Sequence, residues 1–313
     1  LGYAVARPGL SALAALQDAS PVSAVLPVTV TDANGNEVTV TDISRIVPLS
    51  GDIAEIVWDL GLGANIVAVD VSATYPEPLL ALPKVGYERV LNAEGILAME
   101  PTVVIGKQAA GPPEVLEQVA GAGVPVVIVA SSETIEAPME KIEAVSTALG
   151  VQDAGQALAA KVAEEIKAAQ ALSAGATDKP SALILLIQEG GVQRVAGGGT
   201  VASAMLEAAG ATNAAADSGI MGYQPVTPEA LVAAAPDIIV TMAMGAEAVG
   251  GFDGVMALPG VADTPAGQNG RIYLYDDELL LGMTPRTGQQ LMTMIADFHP
   301  ELTLATPEAT PAG

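Results

Sequence analysis

The sequence predicts an α/β protein of two lobes, each with a parallel sheet flanked by helices, joined by one long rigid helix. Three observations indicate this fold. Short Val- and Ile-rich runs alternate with longer amphipathic stretches, the alternation restarts after one long helical stretch, and a segment of the first half recurs in the second. With 313 residues, 50% of them hydrophobic, the chain is long enough to bury two such cores.

The first half begins with a predicted β-hairpin, in which Asn34-Gly35 separates two alternating Val/Thr runs. Buried strands are predicted at residues 46–49, 65–69, 103–105 and 124–129. Helices are predicted at residues 52–60, closed by Gly61, and at 93–99, 113–122 and 138–149. We expect a flexible leader over residues 1–24 and a first lobe over residues 25–150.

The second half follows a predicted helix over residues 154–172, which would span about 30 Å. Strands are then predicted at residues 182–187, 238–241 and 271–275, and helices at 201–209, 228–234 and 285–298. The expected organisation is a linking helix over residues 151–178, a second lobe over 179–300 and a tail over 301–313.

Residues 91–105 and 226–240 share one pattern without a gap: a capping residue, a helix, a proline and a β-branched strand. Asn92 and Thr227 are the predicted N-caps, so Glu94 and Glu229 occupy the same second helical position. A carboxylate there ordinarily offsets the helix dipole. Their equivalence in two lobes also indicates a pair of matched anionic groups on the rim of a crevice, where a partner protein could contact both lobes.

Composition excludes several classes of function. The chain has 12 basic and 36 acidic residues, a net charge of −24, which disfavours nucleic-acid binding as its main activity. It has no cysteine, which excludes thiolate nucleophiles, disulfides, iron–sulfur clusters and cysteine-based zinc sites. His299 is the only histidine, and we expect it to be a capping or surface residue. No apolar run is long enough to cross a bilayer.

Ligands of open α/β sheets bind beyond the carboxyl ends of the strands, so the residues after each strand are candidates for the crevice. They are aromatic, thioether-bearing and cationic, a set that suits a large, partly apolar ligand with a few anionic groups. The candidates are Tyr75, Tyr87, Arg89, Lys107, Arg194, Met221, Tyr223, Met242, Met244 and Arg286.

Several segments resemble a known family. Residues 70–76 (DVSATYP), 82–87 (LPKVGY) and 92–97 (NAEGIL) are similar to the first lobe of haem-binding substrate-binding proteins of ABC importers. Residues 196–200 (AGGGT), 222–231 (GYQPVTPEAL) and 282–286 (GMTPR) are similar to the second lobe. The resemblance spans about residues 28–300, within a wider group that also carries cobalamin and ferric siderophores.

The resemblance implies a receptor rather than an enzyme, with no catalytic residues. It would capture ferric haem in the inter-lobe cleft and deliver it to the membrane subunits of an ABC permease. We expect a monomer, exported to the cell surface or periplasm and held by a lipid anchor outside this chain.

The resemblance also assigns roles to residues. Tyr75 matches the tyrosine that binds haem iron, and Glu94 and Glu229 match the glutamates that dock onto the permease. A guanidinium or ammonium nearby would favour the phenolate, a hard anionic ligand for Fe(III), or would bind the haem propionates. The expected contacts are Arg89, Lys107, Tyr87, Arg194, Tyr223 and Arg286.

The sequence departs from members that use a histidine opposite the tyrosine, because its one histidine is His299 in the last predicted helix. The iron would then be five-coordinate or would take a thioether from Met242, Met244 or Met221.

Two other functions stay open. The first is a cobalamin or ferric-siderophore receptor. The second is a two-lobed glycosyltransferase that uses nucleotide-sugars, which would need a glycine-rich turn that holds a diphosphate. Ser50-Gly51-Asp52, after the first buried strand, is a poor phosphate loop.

Overall fold

The computed structural model describes residues 22–187 and 193–303. Most of the predicted leader and tail therefore lies outside the described residues. Within the last part of the predicted leader, Val22 and Ala24 pack against the hydrophobic core. The lobe boundaries stay predictions. Below, "first lobe" denotes residues 25–150 and "second lobe" residues 179–303.

The first lobe holds the predicted hairpin and a three-stranded parallel sheet in the order β3-β6-β7. Its strands are β1 Val28–Thr31, β2 Glu37–Val40, β3 Ile46–Pro48, β4 Gly86–Tyr87, β5 Val90–Leu91, β6 Val103–Lys107 and β7 Val126–Val129. Its helices are α1 Gly51–Val57, α2 Ala93–Leu97, α3 Pro113–Gly121 and α4 Ala137–Ala148. The sheet strands are buried along their length, as expected when helices cover both faces.

The second lobe holds a six-stranded sheet in the order β11-β9-β8-β12-β13, with β10 also paired to β8. Its strands are β8 Ser181–Ile187, β9 Gln193–Ala196, β10 Thr212–Asn213, β11 Tyr223–Pro225, β12 Ile238–Met242 and β13 Ile272–Tyr275. Strands β8, β10, β12 and β13 are parallel, whereas β9 and β11 are antiparallel additions at one edge that the sequence patterns did not predict.

Helices surround the second sheet. They are α6 Val201–Ala208, α7 Ala214–Asp217, α8 Pro228–Ala234, α9 Ala243–Ala248, α10 Gly251–Met256, α11 Pro265–Asn269, α12 Asp277–Leu281, α13 Thr287–Phe298 and α14 Pro300–Thr303. Of these, α6, α8 and α13 were predicted, and the other, shorter helices were not.

The two lobes are joined by α5, Gln152–Ser173, a single helix of 22 residues that confirms the predicted long linker. It packs along α4 of the first lobe and α13 of the second. Gly155 of α5 lies against Ser146 of α4, where a Cβ atom would overlap the serine side chain. This close packing holds the linking helix to the first lobe over its first turn.

Two predictions differ from the structure in the first lobe. Residues 65–69 form no continuous strand, because Ile66 bridges to Ile46 while Val69 bridges to Lys84, a different partner. The helix predicted over residues 52–60 is α-helical to Val57 and continues as a wider π-helical turn, Trp58–Leu62, in which Gly61 has a φ of 82°.

The predicted internal repeat is present in the backbone. The side chain of Asn92 accepts a hydrogen bond from Gly95 N, and that of Thr227 accepts one from Ala230 N. Each repeat then turns through a left-handed residue before its proline, Glu100 at φ 47° and Ala235 at φ 45°. The two lobes thus share a helix, a turn and the following strand in the same conformation.

The sequence predicted His299 to be either a capping or a surface residue. It caps the carboxyl end of α13, which confirms the first alternative. Its side chain is only 1% exposed, so the surface alternative is wrong. Within residues 22–187 and 193–303, no helix combines the length and the apolar character that a membrane span requires.

Candidate functional site

Segments that follow parallel strands of the two lobes meet: Gly51, after β3, lies against the Glu278 side chain on α12, after β13. Glu133, in the segment after β7, accepts a hydrogen bond from Val201 N at the start of α6 (2.9 Å). The ammonium of Lys141 on α4 donates to the carbonyl oxygen of Gly282 after α12 (2.6 Å). These contacts place the boundary between the lobes where ligands of such sheets bind.

Tyr75 and Arg286 form the most direct contact between candidate residues. Tyr75 lies in the first lobe, just before the 3-10 helix Glu77–Ala81, and its side chain is exposed. Arg286 lies at the start of α13 in the second lobe, with its guanidinium carbon 3.6 Å from the centre of the Tyr75 ring. The geometry is a cation–π contact across the two lobes.

Glu55 fixes the position of Arg286. The guanidinium donates from Nε to Glu55 Oε1 (2.9 Å) and from Nη2 to Glu55 Oε2 (2.7 Å), a bidentate pair. Glu55 lies on α1 in the first lobe and is 2% exposed. Burial alone would lower the pKa of Arg286, but the Glu55 carboxylate outweighs burial and raises it. Arg286 therefore stays charged beside the ring.

A second charged cluster lies one turn earlier on α1. Asp52 is fully buried and pairs with Lys141 (2.5 Å) and Lys107 (3.1 Å), and the hydroxyl of Ser50 donates to it (2.6 Å). Burial would raise the pKa of Asp52, but the two ammonium groups hold it well below its ordinary value of 3.8. The cluster is a network of ionised groups beneath the inter-lobe boundary.

Lys107 is part of this cluster rather than an open cation. Its ammonium contacts Asp52 and also lies 3.6 Å from Glu88 Oε2, and its side chain is 19% exposed. Burial would lower the pKa of Lys107, yet Asp52 and Glu88 raise it. Its charge is therefore neutralised largely within the first lobe.

The other first-lobe candidates are open to solvent. Tyr87, on β4, is exposed. Arg89, in the turn between β4 and β5, has a side chain 65% exposed, with its Nε 3.8 Å from Glu88 Oε1. Arg89 is therefore available to an anionic ligand.

The second-lobe candidates divide by exposure. Met221 and Met244 are exposed, whereas Met242, at the end of β12, is half-buried. Arg194 on β9 donates from Nη2 to the backbone oxygen of Tyr223 on β11, so its guanidinium is engaged within the sheet. Burial raises the pKa of Tyr223 to about 12, with a further contribution from Glu133. Tyr223 is thus a neutral phenol.

Glu94 and Glu229 are both exposed, each near the start of a capped helix. They lie in the two repeats, and no hydrogen bond or ion pair within the described ranges engages either carboxylate. Both are accessible to a protein partner.

Four charged residues that matter at the boundary were missed from the sequence: Asp52, Glu55, Lys141 and Glu278. A signal existed for two of them, because Asp52 and Glu55 lie on one side of an otherwise apolar helix, GDIAEIV, that is wholly buried. Buried acids on such a helix need cationic partners from other elements.

A cavity of about 570 Å³ also lies between the lobes, where the segment 133–136 meets the end of α5 and the start of α6. Its lining includes Glu133, Ser173, Lys179, Thr200 and Glu207, and none of the predicted ligand contacts. The candidate site at Tyr75 is therefore distinct from this cavity.

The chain was compared with known proteins. The periplasmic binding protein family matches residues 46–279. Among solved structures, the chain is similar to the periplasmic heme-binding protein RhuT from Roseiflexus sp. RS-1 in its apo form. The two are 48% identical with a TM-score of 0.81, covering 83% of this chain and all of the other.

Two curated relatives extend the comparison. The uncharacterized ABC transporter substrate-binding lipoprotein YvrC of Bacillus subtilis is 28% identical over 88% of this chain and 87% of its own length. A cobalamin-binding protein of Halobacterium salinarum is 25% identical over 87% of this chain and 74% of its own. With a family match over three quarters of its length and the same two-lobed fold, this chain belongs to the periplasmic binding protein family.

Proposed function

We propose that the chain is a receptor, not an enzyme, that binds ferric haem between its lobes and delivers it to an ABC permease. The observation that carries the proposal is the exposed Tyr75 of the first lobe with the Arg286 guanidinium of the second lobe 3.6 Å from its ring. The similarity to the heme-binding protein RhuT supports it.

Tyr75 is the proposed iron ligand. A phenolate oxygen is a hard anionic donor that suits Fe(III), and the Arg286 guanidinium lies over the ring that carries it. Glu55 keeps that cation in place through two hydrogen bonds. The proposed iron ligand and a cation fixed in position therefore lie together at the boundary between the lobes.

Exposed apolar side chains of both lobes are the proposed contacts for the rest of the macrocycle. They include Val71 in the first lobe and Met244 and Phe252 in the second. The exposed Arg89 is the proposed propionate contact, whereas Lys107 and Arg194 have their charges engaged within the protein. Tyr87 and Tyr223 are the proposed aromatic contacts.

The second axial position has two candidates in the second lobe, Met221 and Met244, because both are exposed. Met242 is half-buried and is the weaker choice. Replacing each by leucine separates the alternatives: a lost thioether shifts the absorption spectrum, whereas an unchanged spectrum in both variants means five-coordinate iron.

A titration with ferric haem, followed by absorption, tests the proposal. We expect a saturable shift of the Soret band with the unsubstituted chain, and loss of the tyrosinate spectrum in Tyr75→Phe. The matched control is Tyr87→Phe, which removes a hydroxyl from another exposed tyrosine of the same lobe. A chain whose mixture with haem has the spectrum of free haem contradicts the proposal.

Cobalamin is the second candidate, because the Halobacterium salinarum relative is named for binding it. Corrinoid binding needs no tyrosine ligand, so Tyr75→Phe would leave it intact. Calorimetric titration of the unsubstituted chain and of Tyr75→Phe, each with cobalamin and with haem, distinguishes the two functions.

Docking onto the permease is proposed to use Glu94 and Glu229, one exposed carboxylate from each lobe. We further propose an exported monomer tethered by a lipid anchor, which the lipoprotein YvrC supports. Glu94→Ala with Glu229→Ala is expected to abolish transport of the bound ligand into vesicles holding the permease, with binding unchanged. Loss of ligand binding in this double variant would contradict the assignment.

A further inference from the structure

Glu278 is a carboxylate of the second lobe that is packed into the first. It lies on α12, and a Cβ atom added to Gly51 at the start of α1 would lie 2.6 Å from its Oε1 atom. The same added atom would lie 2.7 Å from the backbone oxygen of Ser72. The absence of a side chain at Gly51 therefore leaves the room in which the Glu278 carboxylate rests.

The other oxygen of this carboxylate has no partner. Glu278 Oε2 is buried, and no hydrogen bond reaches it from the described parts of the chain. A buried carboxylate oxygen without a donor is costly when the group is ionised, because the charge has lost its water. A bound proton removes that cost.

Around Glu278 the first lobe contributes Asp52 on α1, Lys107 on β6 and Lys141 on α4, together with Ser72, whose side chain hydrogen-bonds the carboxyl. Asp70 and Glu88 in turn lie near Lys107. The helix that carries Glu278 adds Asp277 and the capping Asp276. These first-lobe groups comprise two ammonium groups and three carboxyl groups. The positive charges are therefore already balanced by carboxylates before the Glu278 carboxylate is counted.

Burial and then the Asp52 carboxylate raise the pKa of Glu278, whereas Lys107, Lys141 and the hydrogen bond with Ser72 lower it; together they take it from its ordinary 4.5 to about 7. Burial likewise raises the pKa of Asp70. Glu278 therefore keeps its proton up to about pH 7 only while the lobes are in contact.

We propose that Glu278 is a proton-dependent latch between the lobes, which holds them together when its carboxyl is protonated and releases them when it is ionised. The latch depends on the two-lobed structure and not on the identity of the ligand. It couples the arrangement of the lobes to the pH around the protein.

The direction and size of the pH effect on lobe contact follow from the difference between the two pKa values of Glu278. Separation returns Glu278 to water, where it ionises above pH 4.5, whereas in contact it ionises near pH 7. Contact is thus strongest below pH 4.5, weakens between pH 4.5 and 7, and is constant above that range. The difference amounts to a change on the order of 100-fold in the ratio of joined to separated lobes.

Single-molecule fluorescence energy transfer tests the latch. The chain has no cysteine, so Gln118→Cys on α3 and Gln268→Cys on α11 give two unique, exposed labelling sites, one in each lobe. We expect the population of joined lobes to fall as pH rises from 4.5 to 8. In Glu278→Gln the lobes should stay joined at every pH.

Two further variants complete the test. Asp253→Asn removes an exposed acid from the same lobe and should keep the full pH dependence. Gly51→Ala places a methyl group where the carboxylate rests, so the lobes should stay apart at every pH, which decides the matter if Glu278→Gln does not fold. A pH dependence that persists in either Glu278→Gln or Gly51→Ala overturns the latch, as does a single unchanging distance in the labelled parent.

Discussion

Replacing either member of the buried Asp52–Lys141 pair tests the account of the charged cluster. Asp52 is 0% and Lys141 1% exposed, and removing one partner of a buried ion pair typically costs about 3–5 kcal/mol because the other charge is left unpaired. The two single variants, Asp52→Asn and Lys141→Met, are not expected to be equal.

The difference follows from what each change leaves behind. In Lys141→Met, Asp52 keeps Lys107 at 3.1 Å and the Ser50 hydroxyl at 2.6 Å, so we expect the low end, about 3 kcal/mol. In Asp52→Asn, the buried Lys141 keeps only the Gly282 carbonyl oxygen as a full acceptor, so we expect about 4–5 kcal/mol. The double variant should cost less than the sum of the two.

Urea unfolding of the full chain measures these values, with fluorescence and circular dichroism recorded together so that stepwise unfolding of the lobes is visible. Lys167→Met is the control, because Lys167 pairs with Glu164 on the exposed face of α5, where both side chains are about three-quarters exposed. It should leave stability nearly unchanged. A larger loss in Lys141→Met than in Asp52→Asn would refute the reasoning.

Three further predictions follow. Because Lys141 and Lys107 hold the pKa of Asp52 below 3.8, the stability it provides is present above pH 3.8 and is lost on further acidification; acid titration of Asp52→Asn should lack that loss. Asn213→Ala should cost about 2–3 kcal/mol in urea unfolding, since the buried amide bonds Ala196 O and Ser203 Oγ and caps α7; Asn269→Ala, at an exposed amide, should cost far less. Glu55→Gln should weaken haem binding about tenfold by loosening Arg286, with Glu117→Gln as control; equal affinities would contradict a positioning role.

Much of the fold could be predicted because its elements carry local signals. The Asn34-Gly35 turn, the buried Val/Ile runs and the capped repeat helices each depend on neighbours a few residues away. The antiparallel strands β9 and β11 could not be predicted in the same way. Their residues, Gln193–Ala196 and Tyr223–Pro225, include charged and proline positions and become strands only by pairing with each other and with β8.

The residues of the candidate site could be predicted from the sequence, but their contacts could not. Tyr75 and Arg286 were identified as candidates, but their contact joins residues more than 200 positions apart, and no spacing in the sequence reports it. Of the charged groups near them, Lys141 and Glu278 were missed because each is ordinary in isolation. Lys141 reads as a surface lysine on a helix until the fold buries it against Asp52.

The linking helix not only connects the two lobes but also limits how far they can shift along its axis. Its 22 residues pack along α4 at one end and α13 at the other, so neither half can drift far along its axis. While the lobes are joined, this packing sets the spacing between them, so a molecule of the wrong thickness would be rejected by strain rather than by a missing chemical group. Selection by thickness costs little ordering on binding, since the frame exists before the cargo arrives.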